Sequence, residues 1–161
     1  MNERYEVVFD VCAVGYRHWG DLATGGAVTA LFILIAKFQE RWPLDLFGRP
    51  WRSSPRWGWR FAAVFTGMVG LATTYDYLNV CGRLRGGQAL LVEGPVHDFR
   101  LEYDKAQSES FFVNARRYTY YAHDGQAGFD TPMLEGGPIR DGLRVRIHEV
   151  DGQIARLEVL R

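Results

Sequence analysis

Two stretches of the chain carry no hydrophobic periodicity because nearly every position in them is apolar or small: Leu22–Phe38 and Phe61–Leu78. Neither residues 22–36 nor 61–75 contain an Asp, Glu, Lys, Arg or His. At 17 residues, Leu22–Phe38 is near the short end of what crosses a hydrocarbon core of roughly 30 Å. Phe61–Leu78 is similar, with Asp76 close to its end. The pattern predicts two membrane helices, with residues 1–21 as an N-terminal extramembrane segment, 39–60 as a loop and 61–85 as the second helix with its extension. The first helix starts after twenty mostly polar residues, unlike a cleavable signal peptide.

Beyond the paired glycines Gly86-Gly87 the pattern changes to the two-residue period of strands. Ala89–Gly94, Val96–Tyr103, Ser110–Val113 and Arg116–Tyr121 read as strands, the last two joined by a tight turn at Asn114-Ala115. Leu143, Val145 and Ile147 alternate with Arg144, Arg146 and His148; Ala155, Leu157 and Val159 alternate with Arg156 and Glu158. A two-residue turn at Asp151-Gly152 would pair Arg146 with Leu157 and mix the faces. A three-residue turn, Val150-Asp151-Gly152, pairs Val145 with Leu157 and Arg144 with Glu158, so it is the expected register. With no helix long enough to cover a flat sheet, residues 88–161 are expected to form a small all-β, OB-like, partly open barrel. The fold class is thus an α+β membrane protein: a two-helix transmembrane hairpin followed by that β domain. Tyr5–Val14 is a short strand or an amphipathic surface segment.

Composition sharpens the membrane reading. The whole chain is 24% charged, a soluble-looking average produced by segregating charge outside the two apolar stretches. Trp19, Trp42, Trp51, Trp57 and Trp59, all of the tryptophans, fall at or just beyond the span ends, where indole rings favour the headgroup layer. Lys37 to Arg60 holds six basic and two acidic residues. The positive-inside rule puts that loop in the cytoplasm and both termini in the periplasm of a bacterial inner-membrane, multi-pass protein. Residues 88–161 hold nine Lys/Arg against twelve Asp/Glu, an acidic balance that argues against a nucleic-acid partner. Small residues four apart, Gly26 and Ala30 in the first helix and Ala62, Thr66, Gly70 and Thr74 in the second, form ridges for close helix packing, with homo-oligomerisation as the lesser use. Asp76 lies at the interface, solvated or bonded to tyrosine.

Chemistry is sparse. Cys12 and Cys81 have no CxxC context, and their plain reading is two small, partly buried apolar residues. Because one precedes the first span and the other follows the second, both face one compartment, and an oxidising one would let them form a disulfide. His97-Asp98, His123-Asp124 and His148-Glu149 are sequence neighbours whose side chains diverge on a strand. They mark solvated surface; no catalytic residue, metal site or cofactor is expected. Residues 122–142 form a long segment without periodicity and rich in Gly and Pro, the kind of loop that carries function. His123, Asp124, Phe129, Asp130 and Arg140 within it are the candidate ligand or partner surface.

The chain resembles a group of bacterial two-span membrane proteins of uncharacterised activity. The resemblance is carried by the N-terminal YEVVFDV segment, Val92-Glu93-Gly94, Glu109-Ser110-Phe111, Val113-Asn114, Gly128-Phe129 and the run from Gly136 to Leu143. It extends through Val145-Arg146-Ile147 and Ile154 to Val159. Ala115 stands where relatives tend to have Gly, and Asp130 where Asn is more usual. The resemblance implies two spans and a C-terminal β domain, and no activity. The expected role is therefore an accessory module whose partners are the bilayer and another envelope protein. The alternative is a membrane-tethered enzyme or ligand-binding protein with its site in the 122–142 loop.

Overall fold

A computed structural model of the chain describes residues 4–41, 45–46, 49–50, 55–102, 108–122 and 125–161. Two compact units divide it: Met1–Arg17 with Thr73–Arg161, and His18–Ala72. In chain order the elements are β1 (Tyr5–Asp10), α1 (Val11–Val14), α2 (Trp19–Arg41), β2 (Asp45–Leu46), β3 (Arg49–Pro50) and α3 (Pro55–Arg85). They continue with β4 (Leu90–Glu102), β5 (Ser108–Val113), β6 (Arg116–Tyr121), β7 (Arg144–Val150) and β8 (Gln153–Leu160), with one 3-10 turn at Met133–Glu135. The fold class is α+β.

The second unit holds α2 and the first part of α3. Among the described residues one helix is long and apolar enough to cross a bilayer, Trp19–Phe38, and it is almost wholly unburied. The two-helix transmembrane hairpin expected from sequence is corrected on this point. Thr66, Thr73, Thr74 and Asp76 dilute the apolar residues of α3 below that standard, although Phe61, Val64, Phe65, Met68 and Leu71 are each more than half exposed. The helices approach antiparallel: Gly70 lies against Leu22, Gly25 against Thr66, and Gly58 against Phe32. A Cβ on Gly25 would sit 2.6 Å from the Thr66 side chain, while Gly26, the residue expected in the contact, faces open space. Trp19 is exposed; Trp42 and Trp51 lie outside the described residues.

The first unit is a six-stranded antiparallel sheet in the order β1-β8-β7-β4-β5-β6. β1 joins Tyr5–Asp10 to the last strand, with Tyr5 opposite Leu160, so the N-terminal segment belongs to the β domain and that domain is not confined to residues 88–161. β4 is long enough to serve both halves of the sheet. Its first part pairs with β7, from Leu90 opposite Glu149 to Pro95 opposite Arg144. Its second part pairs with β5, with a bulge between His97 and Arg100 where Asp98 takes φ 52°. A bulge bends a strand and raises its twist, and here it curls the sheet. The sheet is not closed: among the described residues β1 and β6 are its edges, not hydrogen-bonded to each other.

The register of the last hairpin also departs from expectation. Val150 pairs with Gln153, so the turn is the two-residue Asp151-Gly152, with φ 51° and 83°. Positive φ at both positions is the type I′ geometry that suits hairpin twist, and Asp-Gly supplies it readily. Beyond it, Glu149 faces Ile154 but His148 faces Arg156, leaving Ala155 as an extra residue on β8. That bulge shifts the alternation by one. Val145 then meets Val159, Ile147 meets Leu157 and Arg146 meets Glu158. Asn114 likewise takes the positive φ of the β5–β6 turn, at 55°, sparing Ala115.

Phe111, Val113, Ile139, Val145, Ile147 and Leu157 are fully buried at the centre of the core. The last turns of α3 belong to this unit as well, burying Val80 and Cys81. Arg83 donates through one guanidinium nitrogen to both Asp151 oxygens at 2.5 Å, and Asn79 adds a bond at 3.3 Å. The Arg83 bond, followed by charge attraction and the Asn79 amide, holds the Asp151 carboxyl below its ordinary range. A depressed folded-state value means this contribution is present at neutral pH and lost as pH falls through that value. Thermal melts of the parent and Asp151→Asn are expected to differ at neutral pH. The two curves should begin to converge below about pH 4, where an ordinary carboxylate protonates, and meet only below the depressed folded-state value; a gap that persists below it would mean the ion pair is not its source.

Candidate functional site

The 122–142 loop turns out to be structural where it is described. Phe129 is buried, with its ring 5.5 Å from that of Phe9 on β1 and 5.2 Å from that of Tyr120 on β6, both edge-on. It therefore fills the gap between the two open sheet edges. Its N–H donates to Ile154 O at 3.0 Å. Ala127 and Ile139 are buried beside it. Gly137 is packed so closely that a Cβ there would lie 2.1 Å from Thr131 O.

The described candidate residues of this loop have separate surroundings. Phe129 is core. Asp130 is held by Arg17, Nη1 to Oδ1 2.6 Å. Arg140 is exposed. His123 and Asp124 lie outside the described residues. Asp76 corrects a second expectation: its carboxylate accepts from Ala127 N–H at 2.9 Å and from Gln153 Nε2 at 3.0 Å. Gln153 Oε1 in turn accepts from Gly128 N–H at 3.1 Å. The interface aspartate thus clamps α3, the loop and the β7–β8 turn together.

Two carboxylates inside the curled sheet are likewise consumed by structure. Glu109 is 1% exposed. It accepts the Tyr120 hydroxyl on one oxygen and Met133 N–H, at 2.7 Å, on the other. Glu149 accepts from Arg116 Nη1 at 2.9 Å and from the Tyr118 hydroxyl at 2.9 Å. Burial, then the hydrogen bond to its carboxylate partner, pushes each tyrosine's pKa well up, so both phenols stay protonated donors. Buried polar groups with this degree of satisfaction fix geometry. They tie β6 and the 3-10 turn across the interior.

A ladder of charged side chains lies on the other face of the sheet. Alternation sends Glu93, Arg146, His148, Arg156 and Glu158 outward, and the observed register aligns them across three strands. Arg146 Nε bonds Glu93 Oε2 at 2.9 Å and its guanidinium stacks 4.0 Å over the Tyr5 ring, whose hydroxyl donates to Glu93 Oε1 at 2.7 Å. The Tyr5 bond, then that of Arg146, lowers the Glu93 carboxyl below its usual range. Glu158 is buried and shared: Arg156 Nε is 2.9 Å away, Arg146 Nη1 3.5 Å and His148 Nε2 3.7 Å.

Beside this ladder lies an open cleft of about 460 Å³, walled by Arg85 and Leu84 from the end of α3, by Asp10 and Cys12, and by His148 and Arg156 from the sheet. Asp10 caps α1, its Oδ1 accepting from Cys12 N–H at 2.8 Å and Ala13 N–H at 3.2 Å. Cys12 forms a disulfide with Cys81, Cα to Cα 5.3 Å, stapling the end of α1 to α3. The sequence carried a partial signal for this cleft, since the outward set on β7 and β8 follows from alternation. The contribution of α3 and the N-terminal cap required the topology. Among the described residues no group of three His, Cys, Asp or Glu side chains is arranged to hold a metal ion. Comparison of the chain with family models, with curated proteins and with solved structures finds no match in any of the three.

Proposed function

We propose that the chain is an integral protein of the bacterial inner membrane that holds its β domain on the periplasmic side as a docking module for another envelope protein. The observation that carries this reading is the unburied apolar helix Trp19–Phe38, set between two segments that a disulfide joins in one domain. Leu31, Leu34 and Phe38 are more than half exposed on it, a surface that water disfavours and lipid accepts. The disulfide itself fits an oxidising compartment, and the basic 37–60 loop fits the cytoplasmic side.

The docking role rests on the sheet's open edge. β1 has one strand neighbour, and Val7 and Val8 on it are nearly half exposed. An unpaired edge is a template for strand addition by a partner. Cells expressing the chain are expected to retain it in the membrane pellet after carbonate washing, and a C-terminal reporter is expected to be active only when it requires the periplasm. Crosslinking from Val7 or Val8 should capture an envelope protein or a second copy. Recovery in the carbonate supernatant would overturn the anchoring, and a cytoplasmic C-terminus would overturn the orientation.

A further inference from the structure

We propose that the outer-face cleft beside the Cys12–Cys81 disulfide binds an oxyanion, a carboxylate or phosphate, carried on a short apolar body. The argument begins with Arg156. Its Nε is buried and makes no hydrogen bond, although Glu158 Oε1 lies 2.9 Å away, because the approach is out of line. Its Nη1 is 3.9 Å from Asp10 Oδ2, beyond hydrogen-bond reach. A guanidinium offers five donors in a planar fork that matches carboxylate and phosphate oxygens. Here that fork lines an open cleft with its donors under-used.

The neighbouring charges favour an anion. Arg146 is committed to Glu93 at 2.9 Å. Glu158, divided among three basic groups, cannot satisfy Arg156 fully. Asp10, the carboxylate among the charged lining groups, spends one oxygen capping α1. Arg85 also lines the cleft, is exposed, and has no ion-pair partner among the described residues. Two guanidiniums therefore face one partly engaged carboxylate, with the His148 ring as a further polar contact. Leu84, Ala89 and Leu91 supply the apolar wall, which sets a preference for an acid with a hydrocarbon stem over a bare ion. An oxyanion on an apolar stem is carried either by a lipid headgroup or by a soluble metabolite. The cleft inference does not depend on the docking role or on the orientation proposed above; its lipid arm rests on the proposed anchoring through α2.

The test uses the full chain in a maltoside micelle, titrated calorimetrically with hexanoate and with hexyl phosphate. Saturable binding of at least one probe is expected, weakened about tenfold by Arg156→Gln and by a smaller factor by Arg85→Gln, since charge-assisted hydrogen bonds are the strong ones. Arg85 is exposed and its replacement leaves the fold intact, so a folding defect in the Arg156 variant cannot mask the result. In a second arm the protein is placed in phosphatidylcholine nanodiscs with or without phosphatidylglycerol. Loss of probe binding only with the anionic lipid identifies a headgroup as the occupant; unchanged probe binding identifies a soluble one. The proposal falls if neither probe binds saturably, or if both variants bind as the parent does.

Discussion

Replacing Phe129 with alanine is expected to cost the β domain about 3–5 kcal/mol, the range for removing a fully packed aromatic ring. Phe129 is 5% exposed and contacts Phe9 and Tyr120 edge-on. It therefore supplies transfer energy, quadrupole contacts and the material that occupies the gap between β1 and β6. No neighbouring side chain can collapse into that space without drawing the sheet edges together, which the Asp76 and Glu109 clamps on the same loop oppose. Urea unfolding of the full chain in micelles, followed by near-ultraviolet dichroism, reads the loss directly. Hydrogen exchange should show β1 amides opening first. A loss under about 1 kcal/mol, the size of a surface effect, would mean that residues 127–139 lie over the core without plugging it.

Breaking the Cys12–Cys81 bridge is expected to be the next largest change, at about 2–4 kcal/mol. The two cysteines are 69 residues apart; a flexible loop of that length would give the upper figure. The enclosed segment includes α2 and most of α3, whose helical order limits the entropy released on reduction. The bridge also fixes α1 and the capping Asp10 against α3. Paired Cys12→Ala and Cys81→Ala substitutions avoid a stray thiol. Their effect should equal that of adding reductant to the parent, and reductant should leave the double variant unchanged. Equal melting temperatures for parent and double variant would show that packing of Val80 and Val11 holds this corner without the bond.

How much of this was readable from the chain varies with the range of the interaction. Local signals served well: the strands of residues 88–161 follow their two-residue alternation, the Asn114-Ala115 turn lies where expected, and the second helix stops at Gly86-Gly87. Register failed for a definable reason. By strict alternation the two-residue Asp151-Gly152 turn mixes faces, and the remedy, one extra residue at Ala155, is a bulge that alternation alone cannot place. The loop misled in a similar way. A Gly- and Pro-rich segment without periodicity resembles exposed functional loop, yet Phe129 and Ile139 are core because the sheet leaves a gap for them. Asp76 reads as an interfacial carboxylate until the amides of Ala127 and Gln153, more than fifty residues away, are brought to it. Each of these depends on contacts between distant segments, which no pattern window contains.

The pairing of Tyr5 with Leu160 joins the first and last strands of the chain. A nascent chain therefore releases its opening strand long before the partner for it has been synthesised, and the sheet stays one member short until Gln153–Leu160 has been made. Pairings this distant are slow to form, so the waiting strand is where a chaperone or a neighbouring copy would find this protein most vulnerable.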